Sequence, residues 1–348
     1  MDTSFENAMN QLHAANPAKS NAGGRAVSRD FAGLNRSRLN RRITFGLALF
    51  AFVAIPSIAT IAIRGGNDST VQFADGSLDG LKGAAKKSSQ TVSFAGAPSL
   101  ELGALPTELI GADQNFRSAR DGFSFPNYAG QPTNDAIDAS TMAALFGKEA
   151  VCADQNAALC VMSPGAQAVA DQLNEAMASG RCEGMSVLAQ RFYDGYEARP
   201  NGVATTVQVA QNSVAKQIGY WWATQVAPSV AANSKTYRAM TPVQITNEII
   251  NGLRARSGFT LGLYSSVGGH SVTPIAVTKD GNNFNIYVYD NNYPSEIRKV
   301  LVDSATETWT YSSAAISSSA AKSTWTGSGP GTMDLTSMAA RQGPFSVS

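Results

Sequence analysis

The segment GGHSVTPIAVTKDGNNFNIYVYDNNYP, residues 268–294, contains two runs rich in β-branched and aromatic residues around a turn sequence. Together they predict a β-hairpin that closes at Asp280-Gly281. With these two residues at the centre of the turn, His270 at the start of the first strand lies opposite Asn291. The hairpin therefore brings the only histidine beyond the N-terminal tail to a run of polar side chains.

The polar run is Asp290-Asn291-Asn292, and a one-residue change of loop register brings a different member of it opposite His270. Cross-strand neighbours are about 5 Å apart at Cβ, so a carboxylate or carboxamide can reach the imidazole. Such a pair is typical of a general base and the group that orients it. Two simpler interpretations stay open: a turn histidine beside glycines, and an Asx-rich turn or cation-binding loop.

A candidate nucleophile lies upstream in SGRCEGMSVLA, residues 179–189. Gly180 interrupts a preceding helical pattern, and apolar residues then recur at helical spacing, which places Cys182 in the first turn of a new helix. The helix dipole favours a thiolate there. The alternatives for Cys182 are a buried apolar thiol and a half-cystine paired with Cys152 or Cys160.

A cysteine at a helix N-terminus, then a histidine on a strand, then Asp or Asn on the next strand is an order that resembles the papain-like cysteine peptidase superfamily. The spacings, 88 residues from Cys182 to His270 and 20 from His270 to Asp290, are most similar to its C39-like branch. The resemblance covers residues 140–312 and implies a papain-like fold. It also implies Cys182 as nucleophile, His270 as general base and Asp290 as orienter, with Asn291 as the papain-type substitute for Asp290.

One position departs from the family pattern. A glutamine six residues before the cysteine usually completes the oxyanion hole, and Ala176 stands there in this chain. Asn174 and Gln172, on the same predicted helix, are the expected substitutes for it. The sequence therefore leaves the side-chain donor to the oxyanion open.

Composition and motifs exclude several classes of function. Of 348 residues only 15% are charged, the formal net charge is +1, and no basic or acidic excess points to nucleic acid. The chain contains no CxxC, no HExxH and no glycine loop of the kind that holds phosphate. We therefore expect neither a metal nor a nucleotide cofactor.

The N-terminal region predicts a membrane anchor. Residues 1–42 are polar, lack periodicity and end in a cluster of arginines. Residues 43–63 contain no charged side chain, and as a helix they can cross the hydrocarbon core of a bilayer, about 30 Å. The arginines predict that the N-terminus stays in the cytoplasm of a bacterial cell and that the chain beyond Arg64 is exported. A cleaved signal peptide is the alternative.

If the chain beyond Arg64 is exported, the segment after it can be a linker and its cysteines can form disulfides. Residues 64–110 are rich in Gly, Ser, Ala, Lys and Asp and predict a flexible linker. Because disulfides persist outside the cytoplasm, we expect a bridge between Cys152 and Cys160, which are eight residues apart. Cys182 is then the odd, free thiol.

Residues 111–312 predict one α+β domain with helices first and antiparallel strands second, the order that a papain-like fold requires. The expected helices are 139–146, 166–177 and one from Thr241 towards Gly258, and the expected strands are 259–264, the hairpin, 299–302 and 306–311. Tyr220-Trp221-Trp222 is expected in the core or along a groove. Residues 313–348, rich in Ser, Ala and Gly, are expected to form a loosely packed tail.

These observations predict a membrane-anchored, extracytoplasmic thiol hydrolase that acts on peptide or isopeptide bonds through Cys182, His270 and Asp290. A peptidoglycan amidase or endopeptidase of the NlpC/P60 type shares the order of cysteine and histidine, and it is the alternative enzyme, with a cell-wall peptide as substrate. A catalytically inactive pseudo-peptidase that binds peptides is the non-enzymatic alternative, because the upstream glutamine is absent.

Overall fold

A computed structural model of the chain describes residues 108–109, 114–343 and 345. The predicted tail (1–42), the predicted membrane helix (43–63) and most of the predicted linker (64–110) lie outside the described residues. Among the residues that are described, no helix is both long enough and apolar enough to cross a membrane. Strand β1, Glu108–Leu109, pairs with the hairpin, so the last residues of the predicted linker belong to the sheet.

Helices occupy the first half of the described chain. They are α1 Ser118–Asp121, α2 Ala139–Phe146, α3 Lys148–Val151, α4 Pro164–Met177, α5 Cys182–Asp194, α6 Ala215–Ala223, α7 Pro228–Arg238 and α8 Pro242–Ala255. Short 3-10 turns lie at Pro200–Gly202, Thr206–Gln208, Gln211–Ser213, Thr224–Val226 and Met338–Arg341. The first turn of α4 is capped by Ser163, whose hydroxyl accepts from the backbone N–H of Ala166 (3.3 Å). The helices expected at 139–146, at 166–177 and after Thr241 are confirmed.

Strands occupy the second half and form one antiparallel sheet in the described residues. They are β2 Phe259–Ser265, β3 Gly268–Asp280, β4 Asn283–Tyr289, β5 Ile297–Asp303, β6 Thr308–Ala314, β7 Ser323–Ser328 and β8 Met333–Ser337. Their order in the sheet is β7-β6-β5-β4-β3-β2-β8, and β1 pairs with β3. Helices first and antiparallel strands second confirm the predicted α+β class.

The sheet is covered by helices on both faces, which gives two apolar cores. In one core, Leu188 of α5 and Trp221 of α6 pack with Tyr289 at the end of β4. In the other, Ile249 of α8 packs with Val272 of β3. Helix α5 therefore lies across β3, and its first turn is close to the first residues of that strand.

The predicted hairpin is present, but its register differs from the prediction. Gly281-Asn282 form the turn, one residue later than the Asp280-Gly281 turn that we expected. A β-bulge beside Pro274, which has no N–H to donate to the ladder, shifts the register by one residue in the opposite direction, back towards the prediction. Strand β3 then continues beyond the hairpin to pair with β2, where His270 lies opposite Leu263.

Residues beyond 312 belong to the folded domain. Strand β7 pairs with β6, and β8 pairs with β2 at the other end of the strand order. The domain boundary expected at 312 therefore lies within the sheet, and no loosely packed tail is found in the described part of 313–348. Composition concealed these strands because small polar residues surround their few buried apolar side chains, such as Trp325 and Leu335.

Candidate active site

Cys182 is the first residue of α5 and a free thiol. Cys152 and Cys160 form the predicted disulfide with each other. The Cys182 side chain is half-buried and lines a cavity of about 90 Å³, called the Cys182 cavity below. A half-cystine and a fully buried apolar thiol are therefore both excluded as interpretations of this residue.

The turn before Cys182 is fixed by the buried side chain of Arg181. The Arg181 backbone N–H donates to Asn127 Oδ1 (2.7 Å), and its guanidinium Nε donates to Asp135 Oδ2 (2.7 Å). The guanidinium also donates to two backbone carbonyls at 2.8 and 3.1 Å. Burial alone would raise the pKa of Asp135, but the hydrogen bond and the charge of Arg181 hold it below its usual value. Cys182 thus follows a segment with little freedom to move.

The His270 ring is fully buried and is held through one nitrogen. Its Nε2 lies 2.7 Å from Asp290 Oδ1, and neither side chain has exposed surface. Its Nδ1 is buried and has no hydrogen-bond partner. Because His270 and Cys182 line the same cavity, Nδ1 is the ring nitrogen that remains for the thiol.

Asp290 accepts hydrogen bonds at both carboxylate oxygens. Its Oδ1 accepts from His270 and from the backbone N–H of Asn292 (2.7 Å), and its Oδ2 accepts from the Tyr311 hydroxyl. Burial alone would raise the pKa of Asp290, but the charge of His270 and these hydrogen bonds lower it below its usual value. Asp290 therefore stays ionised inside the protein.

The same ion pair changes the protonation of His270. Burial alone would lower the pKa of His270, but the charge and the hydrogen bond of Asp290 raise it to about 10, and Cys182 acts in the same direction. The ring therefore has a proton on both nitrogens at neutral pH. Both residues line the Cys182 cavity, which is how the thiol comes to act on the ring.

Asn291 links the first turn of α5, at Cys182, to strand β3, which carries His270. Its Nδ2 donates to the backbone carbonyls of Cys182 (2.9 Å) and Ser271 (3.1 Å), and it also lies 2.9 Å from the Ser186 hydroxyl. Asp290 is the residue that contacts the His270 ring. Asn291 therefore does not replace Asp290 as the partner of His270, which the papain-type pattern would allow.

Asn127 and Asn292 form a second buried link between the two halves of the site. Asn127 Nδ2 donates to Asn292 Oδ1 (3.1 Å), while Asn127 Oδ1 accepts from the backbone of Arg181. Asn292 Nδ2 donates to Ala315 O (2.7 Å) and lies 3.3 Å from His270 Nε2. Since Nε2 already donates its hydrogen to the carboxylate, this last approach is a packing contact. The sequence indicates Asn292 only as one possible partner of the His270 ring, and it indicates no role for Asn127.

The expected substitutes for the missing glutamine are not brought to the thiol. Asn174 uses both of its side-chain atoms on the backbone of Ile137, with Oδ1 accepting at 2.8 Å and Nδ2 donating at 3.0 Å. Gln172 lies on the exposed surface of α4. Ala176 itself lines the Cys182 cavity. Beside Cys182, the backbone N–H groups of the first turn of α5 have no partner within the helix.

The far wall of the Cys182 cavity is one polar face of strands β3, β2 and β8. Gly262 is the cross-strand neighbour of both Ser271 and Asp334, and Thr260 pairs with Thr336. These five residues line the cavity, while the alternate residues of β2 and β8 face the apolar core. The alternation of β2, FTLGLYS, is visible in the sequence, but it does not tell a buried polar face from a solvent-exposed one.

Comparisons with known proteins leave the site to be judged on its own geometry. In the part of the chain that the structure describes, no group of three or more His, Cys, Asp or Glu is arranged to hold a metal ion. A scan against models of known protein families, a search of curated proteins and a search of solved structures find no match to this chain.

Proposed function

We propose that the chain is a thiol hydrolase that cleaves peptide or isopeptide bonds, with Cys182 as nucleophile, His270 as acid and base, and Asp290 as orienter. One observation supports this most directly. The buried His270 ring contacts the Asp290 carboxylate through Nε2, while its Nδ1 has no hydrogen-bond partner. The free thiol of Cys182 lines the same cavity as this ring. Nucleophile, base and orienter in contact order are the signature of nucleophilic catalysis.

The first half-reaction forms a thioester. In the proposed reactive state His270 holds the Cys182 proton at Nδ1, and the sulfur attacks the carbonyl carbon, so that a C–S bond forms and the carbonyl electrons move to oxygen. Backbone N–H groups in the first turn of α5 donate to this oxygen. His270 then gives its Nδ1 proton to the nitrogen of the substrate as the C–N bond breaks, and the amine product leaves.

The second half-reaction releases the acyl group. The neutral His270 ring takes a proton from water at Nδ1, and the water oxygen attacks the thioester carbon. The tetrahedral intermediate expels the Cys182 sulfur and releases the carboxylic acid product, while His270 keeps the proton at Nδ1, which restores the reactive state. Asp290 keeps the Nε2–H directed at itself, so Nδ1 is the nitrogen that moves the proton in both steps.

We also propose that the domain is related to the papain-like peptidases of the C39-like branch. In support, the nucleophile begins a helix, the base lies on a strand, and the orienter follows the next strand along the chain. The position of the usual glutamine remains different, because Ala176 provides no donor.

The proposed place of action is outside the cytoplasm of a bacterial cell, with residues 43–63 as the membrane anchor. The Cys152–Cys160 disulfide supports this compartment, because disulfides are stable where glutathione does not reduce them. The substrate is then an extracytoplasmic protein or a peptide of the cell wall.

A second candidate is a protein that binds peptides at the same cavity without cleaving them. Ala176 favours it, since no side chain at this position stabilises an oxyanion. Retained peptide binding by Cys182→Ser, together with absence of turnover by the wild type, would select this candidate. Release of muropeptides from purified sacculi would instead select a cell-wall substrate.

The hydrolase proposal is tested by alkylation of the purified full-length chain with iodoacetamide at neutral pH. We expect the adduct on Cys182, and we expect His270→Ala to slow the reaction at least about tenfold, because an ordinary thiol has only a small thiolate fraction at this pH. His13→Ala is the matched control, since it removes the other histidine of the chain. Absence of an adduct at Cys182, or equal rates in the wild type and His270→Ala, would exclude an activated nucleophile.

A further inference from the structure

The Cys182 cavity contains charged side chains that the proposed hydrolysis does not use. Glu183, Asp334 and Arg341 line it together with Cys182. Asp334 is 3% exposed and Arg341 is 1% exposed. Because a buried charge is costly unless it is well paired, the partners of these groups indicate which of them can still bind a ligand.

The single guanidinium among these lining residues is already paired. Arg341 donates to Glu183 Oε1 through one terminal nitrogen and to the Thr224 hydroxyl through the other. Glu183 Oε1 also accepts from the Thr260 hydroxyl (3.2 Å). Arg341 and Glu183 thus compensate each other, and Asp334 is left as the second carboxylate of the cavity.

Asp334 is incompletely compensated. Its Oδ2 accepts from the hydroxyls of Ser234 (2.8 Å) and Tyr264 (2.9 Å), and the Arg238 guanidinium, which does not line the cavity, reaches it only at 3.7 Å. Burial raises the pKa of Asp334 above its usual value, and the charge of Arg238 only partly offsets this rise. The carboxylate would gain from a nearer cation.

Gly262 lets the Asp334 carboxylate lie close to the backbone of β2. A Cβ at Gly262 would lie 2.3 Å from Asp334 Oδ1 and 2.7 Å from the Tyr264 hydroxyl, so these side chains occupy the position above the glycine, and the hydrogen bonds from Ser234 and Tyr264 are both to the other oxygen, Oδ2. On the opposite side of Gly262 lies Ser271, whose hydroxyl is buried and has no hydrogen-bond partner. Both residues line the cavity. A carboxylate oxygen and an unpaired hydroxyl oxygen that line one cavity match a ligand with several N–H donors.

We propose that the Cys182 cavity is a specificity subsite for a primary ammonium group of the substrate, bound by Asp334 and Ser271 while the carbonyl carbon lies at Cys182. This inference rests on the proposed hydrolase function, and it adds a substrate class, namely acyl groups with a short aliphatic amine. The cavity, at about 90 Å³, has room for several water molecules and hence for a short amine-bearing chain rather than an aromatic side chain.

The test compares two chloromethyl ketones that alkylate the thiol with loss of chloride. One is derived from N-acetyl-lysine, and the other from N-acetyl-2-aminoheptanoic acid, in which a methyl group replaces the ammonium. We expect the lysine reagent to modify Cys182 of the full-length chain at least about tenfold faster, as a charge-assisted hydrogen bond would give. Equal rates in the wild type would overturn the proposal.

Variants then assign the preference to the subsite. Asp334→Asn is expected to bring the ratio of the two rates close to one, and Ser271→Ala to reduce it, which keeps the test available if Asp334→Asn fails to fold. Glu296→Gln is the matched control, because it removes the same charge from an exposed side chain outside the cavity. A ratio that the Asp334 and Ser271 variants leave unchanged would contradict the assignment.

The two proposals fail in different ways. Iodoacetamide has no amine-bearing chain, so its reaction reports on the Cys182–His270 pair alone, and normal alkylation with equal chloromethyl ketone rates would remove the subsite but keep the hydrolase. If the thiol is inert, ligand-observed NMR can compare binding of N-acetyl-lysine methylamide with that of its 2-aminoheptanoic analogue. Tighter binding of the lysine compound would then support the subsite, and equal binding would overturn it.

Discussion

Asp290 Oδ1 lies 2.7 Å from His270 Nε2, and both side chains are completely buried. A buried charge is tolerated when a partner of opposite charge and further hydrogen bonds are present. Loss of either residue leaves the other as an isolated charge inside the protein. Substitutions here are therefore expected to change both reactivity and stability.

Asp290→Asn should lower the rate of Cys182 alkylation and of any turnover, because the carboxamide no longer fixes the protonation of the ring. We expect a loss of about 10²- to 10⁴-fold in kcat/KM, as for orienting carboxylates in comparable triads. Asp280→Asn is the matched control, since it makes the same change at an exposed position of the same hairpin. Similar activity of the two variants would contradict the orienting role of Asp290.

Stability should depend on pH through His270. Its pKa rises from 6.5 to about 10 on folding, so the folded state binds more protons between these values. The stabilisation is therefore complete below about pH 6.5 and is lost as the pH rises towards about 10. We expect the difference in unfolding free energy between the wild type and His270→Ala, measured with urea, to shrink over this range. A difference that stays constant or grows with pH would be inconsistent with the ion pair.

Tyr311→Phe should leave Asp290 with one donor fewer without removing a charge. Burial and the charge of Asp290 raise the pKa of Tyr311 far above its usual value, so its hydroxyl remains a donor to Asp290 Oδ2. Without this donor the carboxylate depends more on the charge of His270, so we expect a higher pKa of His270 in an NMR titration and a loss of about 1–2 kcal/mol in unfolding free energy. Tyr287→Phe, at a buried tyrosine of β4, is the control and should leave the titration of His270 unchanged.

Gly184→Ala should destabilise the protein at the contact of α5 with α6. A Cβ at Gly184 would lie 2.1 Å from Ile218 O and 2.9 Å from Trp222 N, and both are backbone atoms that cannot rotate away. We expect a loss of about 1–3 kcal/mol in unfolding free energy, with slower alkylation of Cys182 as α5 shifts. Gly165→Ala, in the first turn of α4, is the control and should be neutral or slightly stabilising. Unchanged stability of Gly184→Ala would show that the two helices can separate at little cost.

Features that depend on neighbouring residues were predictable from the sequence. The caps of α4 and α8, the helical start at Cys182 and the two runs of the hairpin follow from local patterns. The disulfide between Cys152 and Cys160 also follows from proximity in the chain. The order of cysteine, histidine and carboxylate could be stated before any coordinates, because each member lies on an element with its own local signal.

Features that depend on distant parts of the chain were not predictable. Pairing of β8 with β2 joins residues 70 to 78 positions apart, and no local pattern indicates that Asp334 lies opposite Gly262. Asn174 has the right residue type for an oxyanion donor, but its commitment to Ile137 arises only when α2 and α4 pack. The register beyond Pro274 likewise depends on which residues of β4 pair with β3 across the bulge.

The pairing of Arg341 with Glu183 joins residues 158 positions apart, so the wall of the Cys182 cavity is completed by one of the last described segments. A ribosome that has made the chain only as far as β7 has already produced the thiol, the imidazole and the carboxylate, but not this wall. Polypeptides that end between residues 328 and 334 would therefore contain Cys182, His270 and Asp290 but would lack the cavity wall that Asp334, Thr336 and Arg341 form. The Cys182 cavity can therefore be complete only after almost the whole described domain has been synthesised.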